Sequence, residues 1–452
     1  MLTVKEIYQK YKELNGQEIK ILGFVKQNRF NGTIGFINFN DGTNLNSIQV
    51  VYKKDKLNNS NEISTARNGA AIQVIGKLVI TPNMQQEFEI QANEIKLLKQ
   101  TDESYPLQNK KQGLEFLRDN AELRPRTTIF NAVMRIRSEL AYAIHNFFHT
   151  QNYLWVATPL ITSNDGEGAG ETFFLTVNEK EEFFGQKANL TVTGQLHGEA
   201  YAQAFKNIYT FGPTFRAEKS HTTRHAAEFW MIEPEMAFCD LSGLMNIVEQ
   251  MLKYTINHFK NTCQDEIEFL KKEVDPNISQ RIDNLLNKQF NKMSYQEGIE
   301  LLKTAVSNGH IFEDNNIFFG MDLGSEHERY LCEEVVNGPL FLYNYPKDIK
   351  AFYMKQNNDN LTVAATDLLV PGIGELVGGS QREDDFDKLM NRCKELKMDI
   401  KPLEWYLNLR KYGYYMSSGF GLGFERLVMY LTGMNNIRDV IPFPRTHGSI
   451  NF

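Results

Sequence analysis

Cysteine is scarce in these 452 residues: Cys239, Cys263, Cys332 and Cys393 stand far apart and form no CxxC pair. That spacing argues against a structural zinc site or a disulfide framework and fits a reducing cytoplasm. Long apolar runs are missing too. The longest uncharged ones, such as Leu368–Gly374 and Leu427–Leu431, fall far short of a bilayer span, so no membrane partner is expected. The opening residues, MLTVKEIYQKYKE, are charged and amphipathic, without the apolar core of a secretory signal. There is no strong positive balance either, since 49 Lys and Arg face 56 Asp and Glu for a net charge of −7. No GxxxxGK[ST] sequence occurs, and no GxGxxG follows a strand. A nucleotide, if bound, is therefore not held by a glycine-rich phosphate loop.

What remains is an ordinary globular composition, 42% hydrophobic and 12% aromatic, with material for two or three domains. The charge is uneven. Residues 1–100 carry 13 basic against 9 acidic side chains, so the remainder holds an excess of eleven negative charges. A small basic module joined to a larger acidic one allows local contact with a polyanion despite the overall sign.

The first hundred residues read as strands: Glu18–Arg29, Thr33–Asp41, Ser47–Tyr52, Ala71–Ile80 and Glu87–Leu98. Five short strands predict a five-stranded oligonucleotide-binding barrel over 1–100. Residues 101–127, polar and broken by Pro106 and Pro125, read as a linker with one short helix, Leu114–Asn120. From 128 to 452 the pattern is α+β. Helical period runs over Ile129–His149, then Tyr153–Thr158 reads as a strand stopped by Pro159. Strands and glycine-rich turns follow, interrupted by a helical, charge-rich region from Leu241 to about Gly309. Within that region, 264–300 looks like a solvated helical insertion.

Three segments carry chemistry. Tyr209–Phe238 reads as strand, polar loop, strand. In its second strand Phe229, Met231, Glu233 and Glu235 share one face, and Trp230, Ile232, Pro234 and Met236 form a core face. Two carboxylates beside an aromatic ring suit a cleft floor. Arg216, Arg224 and His225 flank the loop, and a guanidinium is a natural bidentate partner for phosphate. Phe229 could stack a base and Glu218 could accept from an exocyclic amine, so the pattern points to a nucleotide held by arginines. In Asp367–Arg382, DLLVPGIGELVGGSQR, the carboxylates Asp367 and Glu375 flank a Pro–Gly turn and suggest Mg²⁺. Gly378 and Gly379 permit close backbone approach, and Arg382 follows as a donor without an evident intrachain partner. In Gly419–Met429, GFGLGFERLVM, a glycine-rich strand including Gly423 suits a backbone pressed against a ligand, with Arg426 held over it.

Together these segments resemble the class II aminoacyl-tRNA synthetases, in their asparaginyl/aspartyl/lysyl subgroup. Ile129–Pro159 is similar to the family's first motif, Thr214–Glu235 to the second (FRxE, loop, RHxxEF) and Gly419–Leu427 to the third (GxGxGxER). Tyr105–Leu107, Glu115–Arg118 and Leu123–Thr127 resemble the subgroup's hinge. The resemblance implies an antiparallel-sheet catalytic domain and a homodimer built on the first motif. It implies ATP as substrate, with Arg216 on the α-phosphate, Glu218 and Phe229 on the adenine, and His225 and Arg426 on the γ-phosphate. Asp367 and Glu375 would coordinate Mg²⁺. Glu167 and Gln195 would fix the ends of the amino acid, and Arg382 would donate to its side-chain carbonyl. Glu233 or Glu235 would accept from a side-chain amide, Glu233 being favoured as the nearer to Phe229. On the barrel, Arg29, Phe36 and Gln49 match positions that meet an anticodon.

Within the subgroup the resemblance points to L-asparagine and tRNA(Asn). A compact aspartyl enzyme, discriminating or charging both tRNAs, is the alternative. Aspartyl enzymes resemble QSPQxxKQ where this chain has Val192–Glu199, VTGQLHGE, and the lysine that would attract aspartate is Gly198 here. A non-catalytic RNA-binding paralogue would lose the phosphate arginines or metal carboxylates, all of which are present. An amide-forming synthetase would not need the barrel.

Overall fold

The computed structural model describes Met1–Phe452 apart from residues 83, 85, 109, 111, 165, 167–170, 179, 180 and 221. Its chain divides into two compact units, Met1–Ala132 and Val133–Phe452.

The first unit is a closed barrel of β1 (Glu18–Phe30), β2 (Ile34–Asn40), β3 (Ile48–Lys53), β4 (Ala71–Ile80) and β5 (Phe88–Lys99), in the order β1-β2-β3-β5-β4. Alternation decides which side chains go in. Along β2, Gly35, Ile37 and Phe39 are buried while Phe36 and Asn38 are exposed. Val25, Ile37, Val50, Ile72, Val74 and Ile90 are among the residues that fill the interior. Helix α1 (Val4–Leu14) begins at a reciprocal cap between Thr3 and Glu6 and adds Val4 and Ile7 to that core. Helix α2 (Ser60–Ser64) follows β3, and α3 (Leu114–Asp119) follows β5.

Helix α4 (Thr128–Thr150) leads into the second unit. Among the described residues that unit has a small sheet of β7 (Ile161–Thr162), β8 (Phe174–Leu175) and β9 (Ala188–Leu190) in the order β7-β9-β8. The larger sheet has eight strands. They are β6 (Leu154–Trp155), β10 (Asn207–Phe215), β11 (Glu228–Ala237), β12 (Asn291–Ser294), β13 (Leu340–Pro346), β14 (Thr362–Val370), β15 (Gly374–Gln381) and β16 (Ser417–Gly423). Their order is β12-β13-β14-β15-β16-β11-β10-β6, antiparallel except for the two edge pairs. Helix α5 (Gln195–Phe205), which the sequence pattern did not suggest, precedes β10 and packs on β10 and β11.

Residues 264–300 differ from the expectation of a solvated insertion. After α6 (Leu241–Thr262), helices α7 (Gln264–Glu273) and α8 (Ile278–Leu286) bury Ile267, Leu270, Ile278, Ile282 and Leu285. Asn291–Ser294 then pairs as the edge strand of the main sheet, and α9 (Tyr295–Ser307) packs on β13. The charged faces of these helices dominate the sequence pattern, but their sparse apolar positions, at helical spacing, are core. The rest of the chain adds α10 (Ser325–Arg329), α11 (Phe386–Glu395), α12 (Glu404–Asn408) and α13 (Phe424–Thr432). Trp230, expected in the core, is 39% exposed; the buried stretch of its strand begins at Ile232. Among the described residues, no helix is long and apolar enough to cross a membrane.

Candidate active site and nucleic-acid face

Strand pairing assembles the second unit's candidate site. Register sets Met231 opposite Gly423 and Glu235 opposite Gly419, with Ser380 across the other side of Gly419. Because side chains alternate, one face of three adjacent strands collects the aromatic, acidic and glycine positions read from the sequence. Gly419 is required by close approach: a Cβ there would run into the Glu235 carboxylate.

Two clefts open on this face. The first is lined by Arg216, Glu218, Arg224, His225, Phe229, Glu375, Gly423 and Arg426, bringing together every residue expected at the nucleotide. The Arg216 guanidinium lies 5.4 Å from the centre of the Phe229 ring. Arg224 donates to the Ile373 carbonyl at 3.2 Å, and His225 Nδ1 lies 3.1 Å from Ser220 Oγ. Arg426 touches Glu375 at 3.4 Å. Its neighbour Glu425 faces elsewhere, binding Arg137 at 2.7 Å and accepting from the Trp230 amide at 3.0 Å.

The second cleft shares Arg216, Met231, Glu375 and Gly421 with the first and adds Gln195, Glu233, Glu235, Asp367, Gly379 and Arg382. Arg382 is not a donor without a partner. Its Nε and Nη2 donate to Glu235 at 3.1 and 2.5 Å, and Nη1 donates to Ser380 Oγ at 3.0 Å. Glu233 is committed differently, accepting from Thr193 Oγ1, from the Gly194 amide at 2.9 Å and from Thr210 Oγ1 at 3.0 Å. The carboxylate on the guanidinium is therefore Glu235. Burial pushes Glu235 up, to about 8; Arg382 opposes this while Glu199 and Glu233 add to it. Glu167 lies outside the described residues.

Glu375 Oε1 and Asp367 Oδ1 crowd the space over Gly378, 3.0 and 3.3 Å from where a Cβ would stand. Burial pushes nearby Glu328 up to about 7, with repulsion from Glu375 and Asp367 adding to it. Lys350, which the sequence reading missed, answers this charge at 2.6 Å from Asp367 Oδ2. Among the described residues no three His, Cys, Asp or Glu side chains form a metal cage. Two adjacent carboxylates instead suit a hard cation that keeps waters or shares phosphate oxygens.

In the barrel, Arg29 pairs across from Phe36 and Asn38 across from Gln49, and all four line one groove with Tyr8 and Phe88. Phe36 is 38% exposed rather than core. Arg29 donates to Gln27 at 2.9 Å and Gln49 to Glu89 at 3.2 Å.

Comparison with known proteins agrees with this architecture. Residues 114–447 match the model of the class II tRNA synthetases (D, K and N), and 19–98 match that of the OB-fold nucleic acid binding domain. An asparagine–tRNA ligase of Ureaplasma urealyticum is 56% identical over 452 residues, all of both chains. That of Malacoplasma penetrans is 53% identical, spanning 100% of this chain and 99% of its own. Among solved structures, an asparaginyl-tRNA synthetase of Pyrococcus horikoshii complexed with asparaginyl-adenylate superposes with a TM-score of 0.89 at 32% identity, over 99% of each chain.

Proposed function

Because this chain belongs to the class II tRNA synthetases of the D, K and N group, we infer that it activates L-asparagine with ATP and joins it to the 3′ end of tRNA(Asn). The observation that carries this reading is the buried Arg382–Glu235 pair in a cleft that shares Arg216 with the arginine-lined one. Arg382 donates three N–H groups to Glu235 and Ser380, and a guanidinium has five. The two that remain suit a carboxamide oxygen, while Glu235 accepts from the amide nitrogen. Aspartate would set a second carboxylate against Glu235, so repulsion supplies much of the selectivity. The aspartate-charging alternative is not favoured, since the full-length relatives are asparagine ligases.

In the first step an oxygen of the asparagine carboxylate attacks the α-phosphorus of ATP in line, and the bond to the leaving pyrophosphate breaks. A terminal tRNA hydroxyl then attacks the adenylate's carbonyl carbon, and AMP departs. No side chain need act as nucleophile; positioning and charge neutralisation do the work. Arg216 faces the α-phosphate, His225 and Arg426 the γ-phosphate, and Glu218 and Phe229 the adenine, with Arg224 and Gly423 completing the walls. Gln195 and Gly379 border the amino acid. Asp367 and Glu375 would hold Mg²⁺, which when bound neutralises phosphate charge. Arg29, Phe36 and Gln49 meet the anticodon, the ring stacking an unpaired base. Exposed Tyr142, Leu154, Trp155 and Ile161 favour a homodimer, and the unpaired cysteines favour the cytoplasm.

The test is amino-acid-dependent ATP–pyrophosphate exchange with asparagine and aspartate measured side by side. Asparagine should drive it strongly and aspartate weakly. Exchange driven by aspartate alone would overturn the assignment.

A further inference from the structure

Behind the second cleft lies a carboxylate to which the reaction just described gives no part. Glu199, on α5, is 1% exposed. Its Oε1 accepts from Gln195 Nε2 at 3.0 Å and from the Tyr406 hydroxyl at 2.7 Å. Its Oε2 accepts from Arg410 Nη2 at 2.8 Å and from the Tyr414 hydroxyl at 2.9 Å. Arg382 Nε lies 3.6 Å from Oε1. Arg410 is buried as well, between the rings of Tyr406 and Tyr414 at 4.2 Å from each, and donates onward to the Glu383 carbonyl at 2.9 Å. Burial alone would raise the Glu199 carboxyl, but Arg410 and Arg382 outweigh it and hold it below the ordinary range.

Two features separate this group from packing. Glu199 touches both Gln195 and Arg382, which line the cleft, while none of its other partners, Tyr406, Tyr414 and Arg410, does. The buried acids Glu199, Glu233 and Glu235 also sit close together beside the buried guanidiniums of Arg382 and Arg410. Acids this close already repel one another, adding to the burial that raises the Glu235 carboxyl, so a further carboxylate entering beside them is disfavoured.

We propose that Glu199, braced by Arg410, is a specificity-determining positioning residue, fixing Gln195 and Arg382 and adding an acid behind the pocket that helps refuse a carboxylate side chain. The proposal rests on the asparagine reading above. Through Nε2 of Gln195, Glu199 sets which end of that amide faces the cleft. Through its pull on Arg382 Nε, balanced by Arg410, it keeps the guanidinium square on Glu235.

The charge argument makes paired variants move selectivity in opposite directions. Glu199→Gln removes one negative charge from this group and leaves Arg410 uncompensated. The ratio of kcat/KM for asparagine over aspartate, read by pyrophosphate exchange, should fall on the order of tenfold, with the loss on asparagine falling on KM. Arg410→Met leaves Glu199 free to draw Arg382 away. It should raise the asparagine KM while the ratio holds or rises. The double variant restores the original balance and should recover the ratio lost in Glu199→Gln. Tyr414→Phe removes one donor to Glu199 at little risk to folding, leaves its charge less neutralised, and should shift the ratio opposite to Glu199→Gln. Where a thermal melt shows Glu199→Gln unfolded, Tyr414→Phe and the double variant decide. Equal losses for both amino acids in every folded variant would overturn the proposal while leaving the asparagine assignment standing. A wild-type enzyme without asparagine-dependent exchange would overturn the assignment itself.

Discussion

The two clefts on the catalytic sheet treat charge in opposite ways. In the cleft proposed for the nucleotide Arg426 and Glu375 meet at 3.4 Å with 35% and 41% of their side chains exposed. In the cleft proposed for the amino acid Arg382 and Glu235 meet at 2.5 Å with 3% and 0% exposed. An exposed pair contributes little to stability and parts readily, which suits groups that must release one another when phosphates arrive. A buried pair must be complete before substrate comes, because either partner alone would be a bare charge in a dry site. On the proposed reading, a tetra-anion is met by the more exposed pair, whereas telling an amide from an acid of the same shape requires groups already fixed.

The sharpest way to break that contrast is Glu235→Ala. It should cost about 3–5 kcal/mol of unfolding free energy by stranding Arg382, and asparagine-dependent exchange should disappear. A denaturant midpoint unchanged from wild type would show the pair is not structural. Arg216→Ala should do the reverse, lowering exchange by about 10²–10³-fold while moving stability by only about 0.5 kcal/mol. Near-normal exchange would remove Arg216 from the α-phosphate. Gly419→Ala should cost about 1–3 kcal/mol and raise the asparagine KM, because the new methyl displaces Glu235. Unaltered asparagine kinetics would mean the pocket yields more easily than its packing implies. Smallest in its effect on amino-acid activation is Phe36→Ala in the barrel. It should weaken tRNA charging by about 1–3 kcal/mol with exchange intact. An equal fall in both would deny the barrel a separate role.

Much of this was legible in the sequence because strand alternation is local. Phe229, Met231, Glu233 and Glu235 share a face whatever surrounds them, and Gly419, Gly421 and Gly423 follow the same period. The five barrel strands were legible for the same reason, each lying within a residue or two of its expected span. What escaped was long-range pairing. Arg382 finds Glu235 across 147 positions and Glu199 finds Arg410 across 211, and no periodicity reports such partners. The choice of Glu233 over Glu235 rested on closeness to Phe229 along the strand. The hydroxyls that occupy Glu233 come from Thr193, ahead of α5, and from Thr210 on β10, neither of which that spacing could reveal. Lys350 was missed because nothing near it in sequence marks it as facing Asp367. The solvated reading of 264–300 failed where charged helix faces outnumbered the few apolar positions that anchor them.

The large sheet ends in β12 and β6, strands of four and two residues. A stray extended chain meeting either margin finds only a few backbone groups to grip, too few to seed growth of a fibre. A broad hydrogen-bonded platform can thus be displayed in a crowded solution without recruiting unfolded neighbours.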